Sequence, residues 1–404
     1  MKSVGVIVEY NPFHNGHKFH LDQARKQSGA DIVIAVMSGN FLQRGEPALV
    51  SKWARTEMAL NGGADLVFEL PYLFATQNAD IFATGSVTLL AAANCHSLCF
   101  GSEAGDIHTF IETLNFLREK NDEFQDKVKE YSSLGLSYPK ALSLSFEALS
   151  PDKHLLDLSK PNNILGLQYV AAIHKENLSI KPLTIIRKNA NYHDEHFASA
   201  SIASATSIRK ALFSQNGSLE EIHSYLPPTT YDILQKYKDE YRQFHSWEEY
   251  WHLLKYKLLL STPEELRGIH EVEEGLENRL KQAALKAKSF HDFMEQIKTK
   301  RYTWTRLQRV CLHILMNVKR EEMSNIVPKY LRLLGMSENG REYLRKEKKN
   351  LGLPIVSKLS TNKEMLELDI RASRLYALGL KDPTEQQRLL SLEFTQPPIQ
   401  NSSH

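Results

Sequence analysis

Short apolar runs alternate with longer amphipathic stretches along the first half of the chain. A nearly continuous apolar run predicts a strand buried on both faces, and an apolar residue at every third or fourth position predicts a helix. The predicted strands are Val4–Val8, Ile32–Met37, Leu66–Leu70, Leu98–Phe100 and Leu183–Ile186, and the predicted helices are His17–Gln27, Lys52–Asn61, Ala79–Ala93 and Asn163–Glu176. Strands and helices that alternate in this way predict an α/β fold with a Rossmann-like parallel sheet.

The pattern changes after Leu212. The linker Ser214–Ser218 contains Asn216-Gly217, and the chain beyond it is mostly amphipathic helix. We therefore predict a sheet domain at residues 1–215, with a helical insertion at about 106–160, and a mainly α-helical domain at residues 216–404. Two domains fit a chain of 404 residues, because domains usually contain about 100–200 residues.

Composition excludes several classes of protein. With 42% hydrophobic and 24% charged residues, the chain is neither a disordered tail, nor collagen-like, nor a disulfide scaffold. The three cysteines, Cys95, Cys99 and Cys311, are predicted to be reduced thiols. The apolar runs are much shorter than the ~20 residues of a membrane span, and no signal peptide is recognisable, so we expect a cytoplasmic protein.

Charge is unevenly distributed, although the formal net charge is only +2. The segment from Lys281 to Lys358 contains 18 basic and 7 acidic residues, whereas the rest of the chain contains 32 basic and 41 acidic residues. A concentrated positive charge with interleaved aromatic residues favours binding of a polyanion, over the alternative of a solvated helical surface.

The first predicted strand is followed by His14-Asn15-Gly16-His17 at the start of a helix. Ligands bind beyond the carboxyl ends of parallel strands, and the N–H groups of a helix N-terminus attract anions. Two imidazoles three residues apart at this place suit the phosphates of a nucleoside triphosphate. Zinc is the competing interpretation, although zinc needs a third ligand and the motif lacks the Glu of H-E-x-x-H.

A second motif, Ile202–Arg209, begins a helix after the last predicted strand. Its hydroxyl groups can cap the helix, and Arg209 can offer a planar guanidinium to phosphate oxygens. A Ser/Thr cluster before a helix is often only a cap. The second motif therefore indicates a nucleotide site only in combination with the histidine motif.

These two motifs resemble those of the nucleotidylyltransferase superfamily. Four longer segments, Val8–His17, Met37–Phe41, Pro161–Gly166 and Ala203–Arg209, resemble the bacterial tRNA(Met) cytidine acetate ligases, and the likeness extends to Lys300–Arg306. That family activates acetate with ATP as acetyladenylate. It then transfers the acetyl group to N4 of the wobble cytidine of elongator tRNA(Met).

The resemblance implies roles for individual residues. His14, His17 and Arg209 would be catalytic. The ATP-binding residues would be Ile7, Val8, Glu9, Tyr10, Asn11, Pro12, Phe13, Asn15, Gly16, Lys18, Phe19, His20, Gly101, Asn162, Arg187, Ser204, Thr206 and Ser207. The tRNA-binding residues would be Lys298, Lys300, Arg301, Arg306 and Arg309. ATP would be a substrate with Mg²⁺ as its companion ion, acetate and elongator tRNA(Met) would be partners, and neither a membrane nor DNA is expected.

Weaker candidates surround these residues. Lys52 and Arg55 begin the second helix and are predicted either to reach phosphate or to lie on a solvated face. His193-Asp194 is a candidate base for the attacking amine. Glu103 and Asp106 are candidate neighbours of magnesium, with surface charge as the alternative.

Two other functions stay open at this stage. A small-molecule nucleotidylyltransferase would transfer AMP or CMP to a phosphorylated metabolite and use the basic half only as scaffold. A tRNA- or ribosome-binding module would keep a vestigial nucleotide site, which the intact His14, His17 and Arg209 argue against.

Overall fold

A computed structural model describes residues 1–149, 154–187, 202–273, 275–359 and 363–401. Within these ranges the chain forms one eight-stranded sheet with helices on both faces. The strands are β1 (Ser3–Val8), β2 (Ile32–Ser38), β3 (Leu66–Leu70), β4 (Ser97–Ser102), β5 (Lys181–Ile186), β6 (Leu331–Ser337), β7 (Ile355–Val356) and β8 (Ile399–Asn401). Their order across the sheet is β5-β4-β1-β2-β3-β6-β7, and β8 pairs with β6.

The five predicted strands and the predicted α/β class are confirmed. β1 pairs with β2 on one side and with β4 on the other, and all pairs among β1 to β5 are parallel. The chain runs from β1 through β2 to β3, and then crosses back to place β4 on the opposite side of β1. This reversal opens a crevice at the carboxyl ends of β1 and β4, where ligands bind in open α/β sheets.

Three strands come from the C-terminal half of the chain. β6 pairs antiparallel with β3, from Leu66 opposite Met336 to Glu69 opposite Arg332. β7 and β8 add to β6 in the parallel direction. The sheet therefore continues beyond residue 215, which the predicted division into a sheet domain and a helical domain did not anticipate. That division stays a prediction.

The helices before residue 215 connect and cover the parallel strands. They are α1 (Asn15–Ser28), α2 (Lys52–Asn61), α3 (Tyr72–Ala75), α4 (Ala79–Ala92), α5 (Ile107–Glu119), α6 (Asn121–Ser133), α7 (Tyr138–Leu149), α8 (Pro161–Lys175) and α9 (Ala205–Leu212). The four helices predicted between the strands are α1, α2, α4 and α8. Helices α5, α6 and α7 occupy the stretch predicted to be a helical insertion.

The C-terminal half supplies nine more α-helices among the described residues. They are α10 (Pro228–Tyr241), α11 (Trp247–Leu260), α12 (Pro263–Arg267), α13 (Leu276–Lys286), α14 (Phe290–Ile297), α15 (Trp304–Met316), α16 (Glu338–Glu347), α17 (Glu367–Ala377) and α18 (Pro383–Thr395), with 3₁₀ turns at Glu220–Tyr225, Glu321–Met323 and Lys363–Leu366.

Apolar side chains fill both faces of the sheet. Alternate residues of β2 point to opposite sides, so Ile32, Ile34 and Val36 pack with α4 and α8, whereas Val33 and Ala35 belong to the core shared with the C-terminal helices. The core on this second face is continuous across residue 215 and includes side chains from α10 to α15 and from α17 and α18. Burial of two faces explains the nearly continuous apolar runs of the central strands.

Helix α2 carries two buried cations, and both predictions for them were wrong. Lys52 is fully buried and donates to both oxygens of Glu69, at 2.9 and 2.8 Å. Arg55 is also fully buried and donates to the carbonyl oxygens of Glu9, Ser38 and Gly39. Neither residue reaches phosphate or lies on a solvated face, because each is committed to partners in the interior.

Two further observations concern the cysteines and the apolar character of the helices. Cys95, Cys99 and Cys311 are buried and form no disulfide. In the ranges that the structure describes, no helix combines the length and the apolar character that a bilayer crossing requires.

Candidate functional site

The histidine motif forms the turn between β1 and α1. His14 is the N-cap of α1, and its Nδ1 accepts the Gly16 N–H at 3.0 Å. His17 closes the turn, since its Nδ1 accepts the N–H of His14 at 3.2 Å. The two rings stack with their centroids 3.7 Å apart and with 25° between their planes. The local backbone thus fixes both side chains side by side, in a variant of the capping box.

Both imidazoles are held in the neutral form. The pKa of His14 is lowered to about 3, mainly by burial and also by the positive charges of the nearby Arg187 and Arg209. The pKa of His17 is lowered by burial, by His14 and by Arg187. Because each Nδ1 accepts a backbone N–H, the single proton of each neutral ring lies on Nε2. The pair therefore offers two Nε2–H donors, which suits an anion.

These rings line a cavity of about 270 Å³ at the carboxyl ends of β1, β4 and β5. Eleven of the residues predicted for the nucleotide site line it. They are Ile7, Val8, Glu9, His14, Gly16, His17, Phe19, His20, Gly101, Asn162 and Arg187. The cavity lies where the order of the strands reverses, which is the position expected of a ligand site in this fold.

Another part of the wall was not predicted. Its polar members are Gln43 and Arg44, and the rest are apolar or aromatic. The apolar and aromatic residues are Phe82, Phe100, Leu165, Tyr169, Ile185, Ile186, Ile202 and Ala203. Phe100 and Tyr169 pack against each other at 5.7 Å between ring centroids. A cavity with one apolar wall and a few convergent polar groups has the usual character of a small-molecule site.

A tight hairpin brings Gln43 and Arg44 to the cavity. Leu42 N–H donates to Glu46 O, and Gly45 N–H donates to Leu42 O, each at 2.9 Å. Gly45 has a φ of +75°, and a Cβ there would lie 2.5 Å from the backbone nitrogen of Arg309 in α15. Trp247 Nε1 donates to the Gly45 carbonyl at 2.9 Å. Position 45 requires glycine, because φ is positive and no space is left for a Cβ. The contacts of Gly45 with Arg309 and Trp247 show that the C-terminal helices position part of the cavity wall.

Asn162 and Arg187 lie on the side of β4 and β5. The Asn162 side chain donates to Glu103 Oε1 at 2.6 Å, and the N-cap of α8 is Lys160 and not Asn162. Glu103 also accepts the Asn163 N–H at 2.8 Å. The aliphatic part of Arg187 packs on Gly101, where a Cβ would lie 3.2 Å from Arg187 Cγ. Asp106 caps α5 by accepting the His108 N–H.

The other predicted nucleotide residues do not line the cavity. Tyr10 and Phe13 are buried beneath the motif, and Asn11 Oδ1 accepts the Leu49 N–H at 2.7 Å. Ser204 is the N-cap of α9 and accepts the Ser207 N–H, which is the simpler of its two interpretations. The remaining residues outside the lining are Pro12, Asn15, Lys18 and Thr206. Nucleotide contacts by these residues stay predictions.

Arg209 supports the motif from outside the cavity. Its guanidinium donates to the Asn11 carbonyl at 2.8 Å and pairs with Glu46 at 3.0 Å. It thus connects the turn after β1 with the hairpin that carries Arg44. Its predicted contact with phosphate oxygens stays a prediction.

The predicted tRNA-binding residues differ in their surroundings. Lys298, Lys300 and Arg301 are exposed. Arg306 pairs with Glu273 at 3.0 Å, and its guanidinium lies 5.0 Å from the centre of the Tyr302 ring. Arg309 is buried and donates to both oxygens of Glu271. The structure argues against Arg309 as a phosphate contact, because its charge is already neutralised in the interior.

Two further candidates can be placed relative to the described residues. His193 and Asp194 lie outside them. Within the described ranges, no three His, Cys, Asp or Glu side chains are grouped so that they could hold a metal ion. Glu103 and Asp106 are not part of such a group among the described residues, and their place beside magnesium stays a prediction.

Comparison with known proteins agrees with this geometry. The family model described as HIGH Nucleotidyl Transferase matches residues 1–390. The tRNA(Met) cytidine acetate ligase of Geobacillus sp. (strain WCH70) is 51% identical over 402 residues, which cover 99% of this chain and 100% of the relative. The chain belongs to the tRNA(Met) cytidine acetate ligase family. The member from Bacillus subtilis (strain 168) is 49% identical over 95% of this chain and 94% of its own length.

Solved structures extend the family relationship to the whole fold. The crystal structure of apo Thermotoga maritima TmcAL has a TM-score of 0.92 and 35% identity, with complete coverage of both chains. A second structure, TmcAL bound with alpha-thio ATP, has a TM-score of 0.89 and 34% identity, again with complete coverage. This tRNA(Met) cytidine acetate ligase family member therefore shares both its parallel sheet and its C-terminal helical half with these structures.

Proposed function

We propose that the chain is an ATP-dependent ligase that modifies tRNA. It activates acetate as acetyladenylate and transfers the acetyl group to N4 of the wobble cytidine of elongator tRNA(Met), forming N4-acetylcytidine. The observation that carries the proposal is the pair of neutral, stacked imidazoles, His14 and His17, whose Nε2–H groups are donors in a cavity at the reversal of the sheet. The full-length similarity to tRNA(Met) cytidine acetate ligases supports the choice of reaction.

In the first step, an oxygen of acetate attacks the α-phosphorus of ATP and pyrophosphate leaves. The chain supplies mainly position and charge for this displacement. His14 and His17 donate to phosphate oxygens, and Arg187 adds a positive charge close to both rings. Donors that the backbone has already fixed need no reorganisation as negative charge develops, which is the main source of rate in such sites.

In the second step, the N4 amine attacks the acyl carbon and AMP leaves. The target base has to leave its stack to reach the cavity, at a cost of roughly a few kcal/mol, which is smallest in a single-stranded loop. The exposed cations Lys298, Lys300 and Arg301 hold the RNA backbone. ATP, acetate and tRNA all occur in the bacterial cytoplasm, which is where we expect the reaction.

Mg²⁺ accompanies ATP in this proposal. Magnesium prefers oxygen ligands, keeps several waters and is commonly bound through substrate phosphates. Since the described residues provide no group of three ligands, no side chain is assigned to it. When bound to the triphosphate, it neutralises part of the phosphate charge.

The test is incorporation of radiolabelled acetate into total bacterial tRNA by the purified protein with ATP and magnesium. Label should appear in RNA, require ATP and disappear in the His17→Ala variant. His174→Ala is the matched control, because His174 is exposed at the opposite end of α8 from Asn162 and should leave the incorporation intact. Modified RNA should yield N4-acetylcytidine on digestion to nucleosides.

Other outcomes would contradict the proposal. ATP cleavage that depends on a phosphorylated metabolite and not on acetate would indicate a small-molecule nucleotidylyltransferase. Tight RNA binding without turnover of any acid would indicate a binding module.

A further inference from the structure

The transfer step needs a group that removes a proton from the attacking amine. N4 of cytidine is an aromatic amine and a weak nucleophile, and it becomes acidic once its lone pair has bonded to the acyl carbon. A positioned base that takes this proton typically contributes about 10²–10⁴-fold to a rate. This inference rests on the proposed function and concerns only its second step.

Most polar groups of the cavity cannot be that base. Nδ1 of His14 and of His17 already accepts a backbone N–H, and Nε2 of each ring carries the proton. Arg44 and Arg187 are cations, and burial raises the pKa of the Tyr169 hydroxyl, so it remains protonated. Two side-chain groups that can take up a proton are left among the described lining residues, the Glu9 carboxylate and Nδ1 of His20.

Glu9 is held in a way that leaves one oxygen for a ligand. It follows β1 directly, and its Oε1 accepts the Gln43 N–H at 2.7 Å. Its Oε2 makes no hydrogen bond with any described residue, although the side chain lines the cavity. One oxygen therefore fixes the carboxylate, and the other is available as an acceptor.

The charges around Glu9 suit a base. Burial raises its pKa, and the negative charge of Glu46 acts in the same direction. The Gln43 hydrogen bond, Arg44 and Arg209 oppose this rise. A carboxylate with a raised pKa takes up a proton more readily than an ordinary surface carboxylate.

His20 is the weaker candidate. Its Nε2 donates to the Cys99 carbonyl at 3.1 Å, and burial lowers its pKa to about 4, so its lone pair is a poor proton acceptor. Position also separates the two residues. Glu9 contacts the hairpin that packs against α15, whereas His20 contacts β4 on the other side of β1. The exposed cations Lys300 and Arg301, to which the proposed function assigns tRNA binding, precede α15 in the chain, so Glu9 is the candidate connected to them through the hairpin.

We propose that Oε2 of Glu9 accepts the N4 proton during acetyl transfer. The N4 lone pair forms the bond to the acyl carbon, and the bond between that carbon and the phosphate oxygen breaks. AMP leaves with the electron pair of the broken bond, one N4 proton passes to Glu9, and the carboxylic acid then releases this proton to water.

The test separates the two steps in the Glu9→Gln variant. Glutamine retains an oxygen that can accept the Gln43 N–H but cannot take up the proton. Acetate-dependent ATP–pyrophosphate exchange measures the first step, and a single turnover of preformed acetyladenylate with tRNA(Met) measures the second. The ratio of the transfer rate to the exchange rate should fall by about 10²-fold or more in Glu9→Gln, and it should change far less in His20→Asn.

If the ratio in Glu9→Gln stays within about threefold of the wild-type ratio, the inference is overturned, because loss of a base should lower the ratio far more. A fall confined to His20→Asn would also overturn it and assign the proton to His20. If circular dichroism shows that Glu9→Gln does not fold, the pH dependence of acetyl transfer by the wild-type protein tests the role of Glu9 instead. The rate should rise with pH through an apparent pKa above the ordinary carboxyl value, and a flat profile would overturn the inference.

Failure of the proposed function gives a different result. A wild-type protein without acetate-dependent exchange contradicts the ligase itself. A wild-type protein that performs both steps, beside a Glu9→Gln variant that transfers equally well, contradicts only the role of Glu9.

Discussion

Lys52 Nζ lies 2.9 Å from Glu393 Oε1, and this buried ion pair joins residues that are 341 positions apart in the chain. Glu69 completes the group with a second ion pair to Lys52, and Arg332 lies 4.0 Å from Glu393. The Ser373 hydroxyl donates to the other oxygen of Glu393 at 2.9 Å. The group fastens α18, near the C-terminus, to α2 and β3 of the parallel sheet.

Removal of the central cation should therefore be costly. Lys52→Met leaves two buried carboxylates facing each other, and we expect the free energy of unfolding to fall by about 3–5 kcal/mol. Urea denaturation followed by circular dichroism measures this change. Lys129→Met is the control, because Lys129 pairs with Asp126 at the surface and its loss should matter little. If the two substitutions lowered the free energy of unfolding equally, the buried ion pairs would not be a special source of stability.

His14 caps α1 in the structure, and the proposed function gives it a second role as donor to the ligand that can be tested separately. Asparagine is a good N-cap but has no group in the place of Nε2–H, so His14→Asn should keep the stability of α1. We expect acetate-dependent ATP–pyrophosphate exchange to fall by about 10²–10³-fold, as when an oxyanion donor is removed. His14→Ala should lose the cap as well, and its free energy of unfolding should be about 1 kcal/mol lower than that of the wild type. Normal exchange in His14→Asn would show that the ring contributes only the cap.

Gly16 lies too close to His14 for a side chain. A Cβ at position 16 would be 2.8 Å from Cε1 of the His14 ring and 3.0 Å from its Nδ1. Gly16→Ala should therefore displace the imidazole and lower the exchange rate by about tenfold or more, since small misplacements of catalytic groups are costly. Gly268→Ala is a matched control, because its nearest neighbour would be 3.4 Å away. Exchange that is unaffected by Gly16→Ala would mean that the ring position is unimportant.

A buried histidine should make stability depend on pH. Burial lowers the pKa of His245 to about 3, and the ring bridges the hydroxyls of Tyr237 and Tyr250. Below its ordinary pKa of about 6.5, this residue binds a proton in the unfolded chain but not in the folded one, so the folded state loses stability as the pH falls.

The His245→Gln variant lacks this dependence. As the pH falls from 6.5 to 4, the wild type should lose up to about 1.4 kcal/mol of unfolding free energy per pH unit relative to the variant. Urea denaturation of both proteins at several pH values in this interval measures this difference. A difference that does not change with pH would contradict the lowered pKa.

The exposed cations before α15 should determine how RNA binding responds to salt. Each phosphate contact that is removed lowers the slope of log affinity against log salt by about one. The double variant Lys300→Ala/Arg301→Ala should thus bind tRNA(Met) more weakly and with a smaller slope, as measured by filter binding at several salt concentrations. Arg309→Ala should instead reduce folding stability, because it leaves Glu271 buried without its partner. Unchanged tRNA binding by the double variant would rule out this surface.

The early strands could be predicted because their signals are local. β1 to β4 are buried on both faces, so their sequences are nearly continuous apolar runs, and β5 ends in such a run. The histidine motif could be placed for the same reason, since the end of β1 and the cap of α1 are adjacent in sequence. β6 was missed because it lies in the basic segment, carries Arg332, and owes its place to pairing with β3 far away in sequence.

Residues that depend on distant partners could not be predicted. Lys52 is typical of a solvated helix start until Glu393 is brought next to it. Gln43 and Arg44 belong to a polar hairpin whose direction is set by Trp247 and by the backbone of Arg309. In each case the deciding contact joins parts of the chain that no local pattern relates.

The hydrogen bonds that begin α1 also decide which ions the histidine pair can recognise. A transition metal binds imidazole through a nitrogen lone pair, and the Nδ1 lone pairs of His14 and His17 are both occupied by backbone N–H groups. Coordination at Nε2 would first require loss of its proton and would leave an imidazolate. The spacing of the motif is compatible with zinc, but its capping geometry leaves N–H donors and not lone pairs for a ligand, which favours oxyanions over transition metals.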